Sequence, residues 1–151
     1  MKRTIILSVF TLLVFGSCQR NSTVELRLNH AEELMSEHPD SAWHILESID
    51  RKALDSRRIR ARHALLSSQA LDKNYIDVNN DSLIRIAIDY YANHGSYEDR
   101  AKAYYYHAIV QGNASNTEAA IKALVMAEEY AKKTRDTLER FNIFVSRGPV
   151  L

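Results

Sequence analysis

Four glycines, two prolines, one tryptophan and a single cysteine are spread over 151 residues. So few turn-forming residues exclude a β protein of many short strands. One cysteine excludes an internal disulfide and a thiolate metal site. Long apolar runs are missing too. The run TIILSVFTLLVF at 4–15 has about a dozen residues, short of the roughly 20 that a spanning helix needs. Charge of one sign is lacking: 20 Lys+Arg face 19 Asp+Glu, a formal net charge of +1. No strong field for nucleic acid or anionic lipid follows. The chain has no glycine-rich phosphate loop and no Gly-x-Ser-x-Gly elbow. Its six histidines, His30, His38, His44, His63, His94 and His107, form no His-Glu-x-x-His pair. DVNNDS at 77–82 begins like a calcium loop, yet Ser82 stands where glycine is needed and Ile88 where a bidentate glutamate is needed. Asp77 and Asp81 read as a turn and a cap. Nothing here points to an enzyme, a cofactor or a metal.

What is present begins at the N-terminus. Lys2 and Arg3 precede the apolar run, and Gly16 and Ser17 precede Cys18. This order is that of a secretory signal. FGSC at 15–18 resembles a bacterial lipobox, which implies cleavage before Cys18 and its lipidation. Several acyl chains make a stable anchor where one would not. QRNST after the cysteine lacks both a neighbouring aspartate and an acidic cluster. By analogy with lipoprotein sorting, that places the protein at the outer membrane, facing the periplasm. The expected organisation is a signal over 1–17, a lipidated cysteine and tether over 18–23, a helical domain over 24–147 and a tail over 148–151. Loss of the signal leaves 18 Lys+Arg against 19 Asp+Glu.

The rest reads as helix. Apolar residues recur at three- and four-residue steps: Val24, Leu28, Ala31 and Met35; Ala42, Leu46 and Ile49; Ala120, Leu124, Ala127 and Ala131. Asp-Ser pairs at 40–41, 55–56 and 81–82 supply cap residues. Ser115 with Glu118 has capping-box spacing, as has Asp136 with Glu139, and Gly95 is placed as a left-handed stop. The spacing predicts helices near 23–37, 40–50, 55–72, 81–94, 97–112, 115–134 and 136–147. The fold class is all-α, built of antiparallel helix hairpins.

Ala42, Ala87 and Ala120 each begin an apolar stripe, followed four residues later by Leu46, Tyr91 and Leu124. The intervals, 45 and 33 residues, bracket a repeat of about 34. Residues 101–134, AKAYYYHAIVQGNASNTEAAIKALVMAEEYAKKT, resemble one tetratricopeptide repeat. Tyr104 matches its aromatic opening position, Ala108 its small first-helix position, and Ala120, Leu124 and Ala127 its second-helix positions. His107, Gln111, Ser115 and Lys132 depart from the pattern. With SEHPDSAWHILESID and DSLIRIAIDYYANHG, the chain is similar to tetratricopeptide-repeat lipoproteins of the Bacteroidetes type. The resemblance implies a stacked solenoid that binds another protein. In that group the array is often longer, and some members continue into a membrane helix and a DNA-binding regulator domain. A short or truncated member is therefore expected. In DTLERFNIFVSRGPVL at 136–151, residues 138–145 are expected to expose apolar surface, left by truncation or kept as an interface.

Tyr90, Tyr91, Tyr97, Tyr104, Tyr105 and Tyr106 crowd one stretch. Consecutive helical residues point about 100° apart, so Tyr104, Tyr105 and Tyr106 cannot share one stripe. Tyr104 falls to internal packing by its motif position. The resemblance puts Lys102, Tyr105 and Ile109 on the face that lines the family's concave groove, and Tyr106 joins them as a partner-binding candidate. The second reading packs Tyr105 and Tyr106 against helix 81–94 and a following repeat. Arg57, Arg58, Arg60 and Arg62 read as a solvated helix start, or else as a contact for an acidic partner or lipid head groups. Three functions fit: a lipid-anchored module for protein–protein interaction, a truncated periplasmic sensor arm of a signalling regulator, and an envelope-assembly factor.

Overall fold

A computed structural model describes residues 23–134, which are helical with turns between and contain no strand. The helices are α1 (23–34), α2 (Pro39–Glu47), α3 (Arg57–Lys73), α4 (Ser82–His94), α5 (Tyr97–Asn113) and α6 (Thr117–Ala131). A 3₁₀ turn at Arg51–Ala53 lies between α2 and α3. The six helices expected over this stretch are all there, displaced by a few residues at their ends. The signal segment 1–17, Cys18, the expected helix 136–147 with its apolar 138–145, and the tail 148–151 lie outside the described residues.

The ends show which local chemistry fixes each helix. Ser56 caps α3, its side chain accepting from the Ile59 N–H. The other Asp-Ser pairs act differently. Pro39 occupies the first turn of α2, so His38 is the N-cap residue and Asp40 falls inside the helix. Asp81 is the N-cap of α4 without a capping bond. Its carboxylate instead accepts from Arg85 at 2.6 Å. Ser96 and Asp99 form a reciprocal capping box at the start of α5.

Two closures use left-handed residues that are not glycine. Tyr75 has φ 57° and Ser115 φ 58°. The Ile76 N–H donates to the Leu71 carbonyl at 3.0 Å and the Tyr75 N–H to that of Asp72 at 2.9 Å. The Asn116 N–H likewise donates to Gln111 and the Ser115 N–H to Gly112, both at 2.8 Å. These are Schellman closures. Ser115 therefore ends α5 instead of capping α6, and Asn116 caps α6 through the Ala119 N–H. Gly95 is no left-handed stop: its φ is −94° and its ψ 163°. Glycine is required there for another reason, since a Cβ would come within 2.5 Å of Tyr91 Cδ1.

Consecutive helices pack from α2 to α6, and α3 also packs on α5. Two apolar clusters result. The first joins α1 and α2 to one side of α3 through Leu28, Met35, Leu46, Ile59 and Leu66. The second joins the other side of α3 to α4, α5 and α6 through Leu65, Ile84, Tyr91, Tyr105 and Tyr106. Ala108, Ala120 and Ala127 are buried, small enough to let α5 and α6 approach closely. Glu25 on α1 pairs with Arg58 and Arg62 of α3, and Glu32 pairs with Arg62. The order of pairing ascends in both helices, so α1 and α3 lie side by side in the same direction.

Candidate partner-binding cleft

The four candidates on α5 do not form one open surface. Tyr105 and Tyr106 are each 2% exposed. Their rings meet edge to face at 5.3 Å between centroids inside the second cluster. The groove role expected of them is corrected on this point: α3 packs against α5 and takes both rings into the core. Burial, and secondarily Asp72, push the Tyr105 phenol up to about 12. Burial drives the Tyr106 phenol up as well. Ile109 lines a narrow apolar crevice of about 20 Å³ with Ile76, Val78 and Leu83, room for about one water. Tyr104, expected to pack internally, is half-buried and stacks on Tyr130 at 5.7 Å.

Lys102 opens into something larger. A cleft of about 260 Å³ lies across α1, α3, α4 and the start of α5. Its α3 wall is a stripe of Arg58, Arg62, Leu65, Leu66 and Gln69. Glu32 closes one side, Tyr90, Tyr91 and His94 of α4 the other, with Asp99 and Lys102 from α5. Leu65 and Leu66 are each 4% exposed and turn into separate cores, so the open surface of the cleft is mostly polar. Spacing explains the α3 stripe. Arg58, Arg62, Leu65 and Gln69 recur at steps of four, three and four and so share a helix face.

Each cation of the cleft already has a carboxylate. Arg62 Nη1 donates to Glu25 Oε2 at 3.0 Å and Nη2 to Glu32 Oε2 at 2.5 Å. Arg58 donates to Glu25 Oε1, and Lys102 pairs with Glu98 at 2.7 Å. Burial works against the Arg62 charge, but the two glutamates outweigh it and hold its pKa above the ordinary arginine value. The arginine run at the start of α3 is thus mostly occupied within the chain. Arg60 completes it by donating to the Leu54 carbonyl at 2.9 Å. Sequence reading missed Gln69, Tyr90 and Tyr91 as lining residues. The four-three-four stripe was the available signal, though only the packing of α1 and α4 shows that it borders a cleft. Burial, then Asp99, raises the Tyr91 phenol, keeping it a neutral donor and acceptor.

A second, polar hollow of about 470 Å³ lies at the other end of α4 and α5, lined by Asp81, Arg85, His107 and Gln111 among others. His107 Nε2 sits 3.5 Å from Asp81 Oδ2 and 3.1 Å from Gln111 Nε2. His107 Nδ1 is buried without a hydrogen-bond partner among the described residues. Burial and Arg85 lower the His107 pKa against the pull of Asp81. The carboxylate expected only as a cap therefore ties α4 to α5. Among the described residues, no group of three or more His, Cys, Asp or Glu could hold a metal ion. No helix there is long and apolar enough to cross a membrane.

Over the described residues these features define an all-helical fold of successively packed helices with an open cleft on one face. Compared with family models, curated proteins and solved structures, the chain has no significant match.

Proposed function

We propose that this chain is a non-enzymatic helical-repeat module that binds another protein through the cleft across α1, α3 and α5. The observation that carries the reading is the cleft itself, open to solvent and lined by α1, α3, α4 and α5 with charged, amide and phenol side chains around Leu65 and Leu66. Tyrosine and arginine are favoured at protein interfaces. Lys102 is the groove candidate that reaches this cleft. The parallel run of α1 and α3, the packing of α3 on α5 and the buried Ala108, Ala120 and Ala127 support a tetratricopeptide-type solenoid. In such an array alternate helices line one face.

Residues 1–18 add the anchor. The lipobox-like FGSC makes this a lipoprotein held through Cys18 at the outer membrane and facing the periplasm, as in the Bacteroidetes-type repeat lipoproteins. Partner binding at a membrane surface needs neither cofactor nor nucleic acid. The sensor-arm and envelope-assembly roles are uses of the same module that differ in partner. A crosslinking pull-down from cells tests the reading, comparing wild type with Lys102→Glu at matched helicity. One partner enriched by wild type and depleted by the variant is expected. Equal recovery by both moves the site away from the cleft, and no partner from either contradicts a binding module.

A further inference from the structure

The formal charge of the chain is close to zero, but it is not spread evenly along the fold. Helices α1 and α3 run parallel. Helix α2 runs against α3: Asn74 at the end of α3 donates to the Pro39 carbonyl at 2.8 Å, and His63 near its start meets the Leu46 carbonyl. Helix α5 runs against α4, with Arg100 bonded to the Tyr91 carbonyl at one end and His107 beside Asp81 at the other. Helix α6 runs against α5, as Tyr97 and Tyr104 stack on Tyr130. The cleft brings Arg58 and Arg62 to His94 and Asp99 and so puts the starts of α3 and α5 together. One end of the bundle therefore holds the starts of α1, α3 and α5 and the ends of α2, α4 and α6. At that end, turns 48–56 and 95–96 with residues 132–134 carry Arg51, Lys52, Lys132 and Lys133 against Asp50 and Asp55. At the opposite end, turns 35–38, 74–81 and 114–116 carry Glu37, Asp77 and Asp81 and no lysine or arginine.

Arg57, the first residue of α3, adds to the basic end. Arg51, Lys52 and Arg57 are exposed, and among the described residues none of the three makes an ion pair. Such cations can meet an anionic surface without breaking an internal pair. Helix α1 starts at the same end, and Cys18 precedes Thr23 by five residues. Five residues reach at most about 18 Å when fully extended. Helix α3, with 17 residues, is about 25 Å long. A bilayer that holds acyl chains on Cys18 is thus within reach of the basic end, and with the bundle upright it is about 25 Å farther from the acidic one. Anionic head groups attract lysine and arginine and repel carboxylates within about a Debye length. We propose that the basic end docks on the anionic phospholipid head groups of the membrane that holds Cys18, through Arg51, Lys52 and Arg57, and that the acidic end points away from it. This rests on the lipid-anchor part of the functional reading and adds how the module stands on its membrane. Arg58, His94 and Asp99 border the cleft, so docking keeps the cleft on the membrane-proximal half.

The test uses the lipidated chain purified from cells and reconstituted in vesicles of phosphatidylcholine, alone or mixed equally with phosphatidylglycerol, both carrying nitroxide at the head groups. A thiol-reactive fluorophore is placed on Lys132→Cys at the basic end or on Tyr75→Cys at the acidic end. Lys132 pairs with Glu128, so its loss removes no free cation, and Tyr75 is 91% exposed. Lipidation blocks Cys18, the only native cysteine, so each variant takes one label. In phosphatidylglycerol vesicles, quenching at 132 is expected to exceed that at 75 by about threefold or more, given the roughly 25 Å between the ends. Arg51→Glu/Lys52→Glu at unchanged helicity, or a rise in NaCl from about 0.15 to about 0.5 M, should cut that ratio by at least about half. Equal quenching at the two positions, stronger quenching at 75, or a ratio indifferent to Arg51→Glu/Lys52→Glu would overturn the docking and leave the anchor standing. A wild-type chain that takes the fluorophore has a free Cys18 thiol, and that would overturn the anchor reading and the docking with it.

Discussion

The core that α1 and α2 share with α3 is aliphatic: Val24, Leu28, Met35, Leu46, Ile49, Ile59 and Leu66 meet there without a tyrosine. The core that α3 shares with α4, α5 and α6 sets Tyr91, Tyr105 and Tyr106 against alanines at 61, 64, 87, 103 and 127. Both bury apolar surface, but they do it by different means. Branched side chains fill the first in the gaps between helices. In the second, alanine lets backbones approach and each phenol fills what is left. Surface charges divide similarly. Between α1 and α3 they bridge helices, as Arg62 does with Glu25 and Glu32. On α5 and α6 they run along one helix, as in Glu98 with Lys102 and Glu118 with Lys122. The first half thus has ion pairs between helices, whereas those of α5 and α6 stay within a helix, and Asp81 with His107 is the contact of this kind between α4 and α5. Helix α3 serves both halves, turning Ile59 and Leu66 one way and Ala61, Ala64 and Leu65 the other.

The contrast can be broken at its strongest points first. Leu46→Ala and Tyr106→Ala each remove a fully buried side chain and should cost about 3–5 kcal/mol. Amide exchange should quicken first in α1 and α2 for Leu46→Ala and in α5 and α6 for Tyr106→Ala. Simultaneous loss of protection everywhere would mean the two cores are a single cooperative unit. Gly95→Ala comes next. Its methyl would press on the Tyr91 ring, and overpacking of this kind costs about 1–3 kcal/mol, read as a lower denaturation midpoint. Arg62→Ala should cost about 1–2 kcal/mol at low salt and less at high salt, whereas Lys122→Ala should stay within about 0.5 kcal/mol. In the opposite direction, Ser115→Gly should gain about 1 kcal/mol, because a left-handed φ strains any residue with a Cβ.

Titration sharpens the same comparison from both ends of the pH scale. Tyr91, Tyr105 and Tyr106 hold raised pKa values through burial. The unfolded chain ionises them near pH 10 while the folded chain keeps them neutral, so stability should fall as pH rises above about 10. The first signs should appear in the α4–α6 half. His63 sits at the seam of α2 and α3, its Nε2 donating to the Leu46 carbonyl at 3.0 Å. Burial lowers its pKa, the Leu46 bond opposing and Arg51 adding to the shift. Unfolded histidine protonates near 6.5 and folded His63 below that, so stability present at neutral pH should be lost as pH falls from about 7 to 5. His107 adds a like term from α5. Thermal melts of His63→Gln against wild type should therefore show a shallower slope over that range without abolishing it.

The helices were legible because each buries one stripe with three- and four-residue spacing, and α1, α3, α4 and α5 fall within a few residues of their expected limits. The ends were less so. Asp40 looks like a cap, but Pro39 starts the helix one residue earlier. Ser115 looks like a capping-box opener, yet the Schellman closure of α5 claims it. The Ser96 and Asp99 box was readable in SYED and went unremarked. The tetratricopeptide resemblance put Lys102 on a groove face, and Lys102 lines the cleft. Tyr105 and Tyr106 were not distinguishable from surface aromatics, because their burial depends on α3 lying across α5, a contact between residues far apart in sequence. Gln69 carries no motif at all. Its place in the cleft follows from its spacing from Arg62 and Leu65 on α3.

The central claim, that a partner enters the cleft across α1, α3 and α5, is tested most directly by a photo-crosslinking residue. It would be placed in cells at position 69 and, in a second strain, at position 122 on α6. A discrete protein adduct from position 69 and none from position 122 is the predicted result. Adducts from position 122 alone, or from neither, would contradict it.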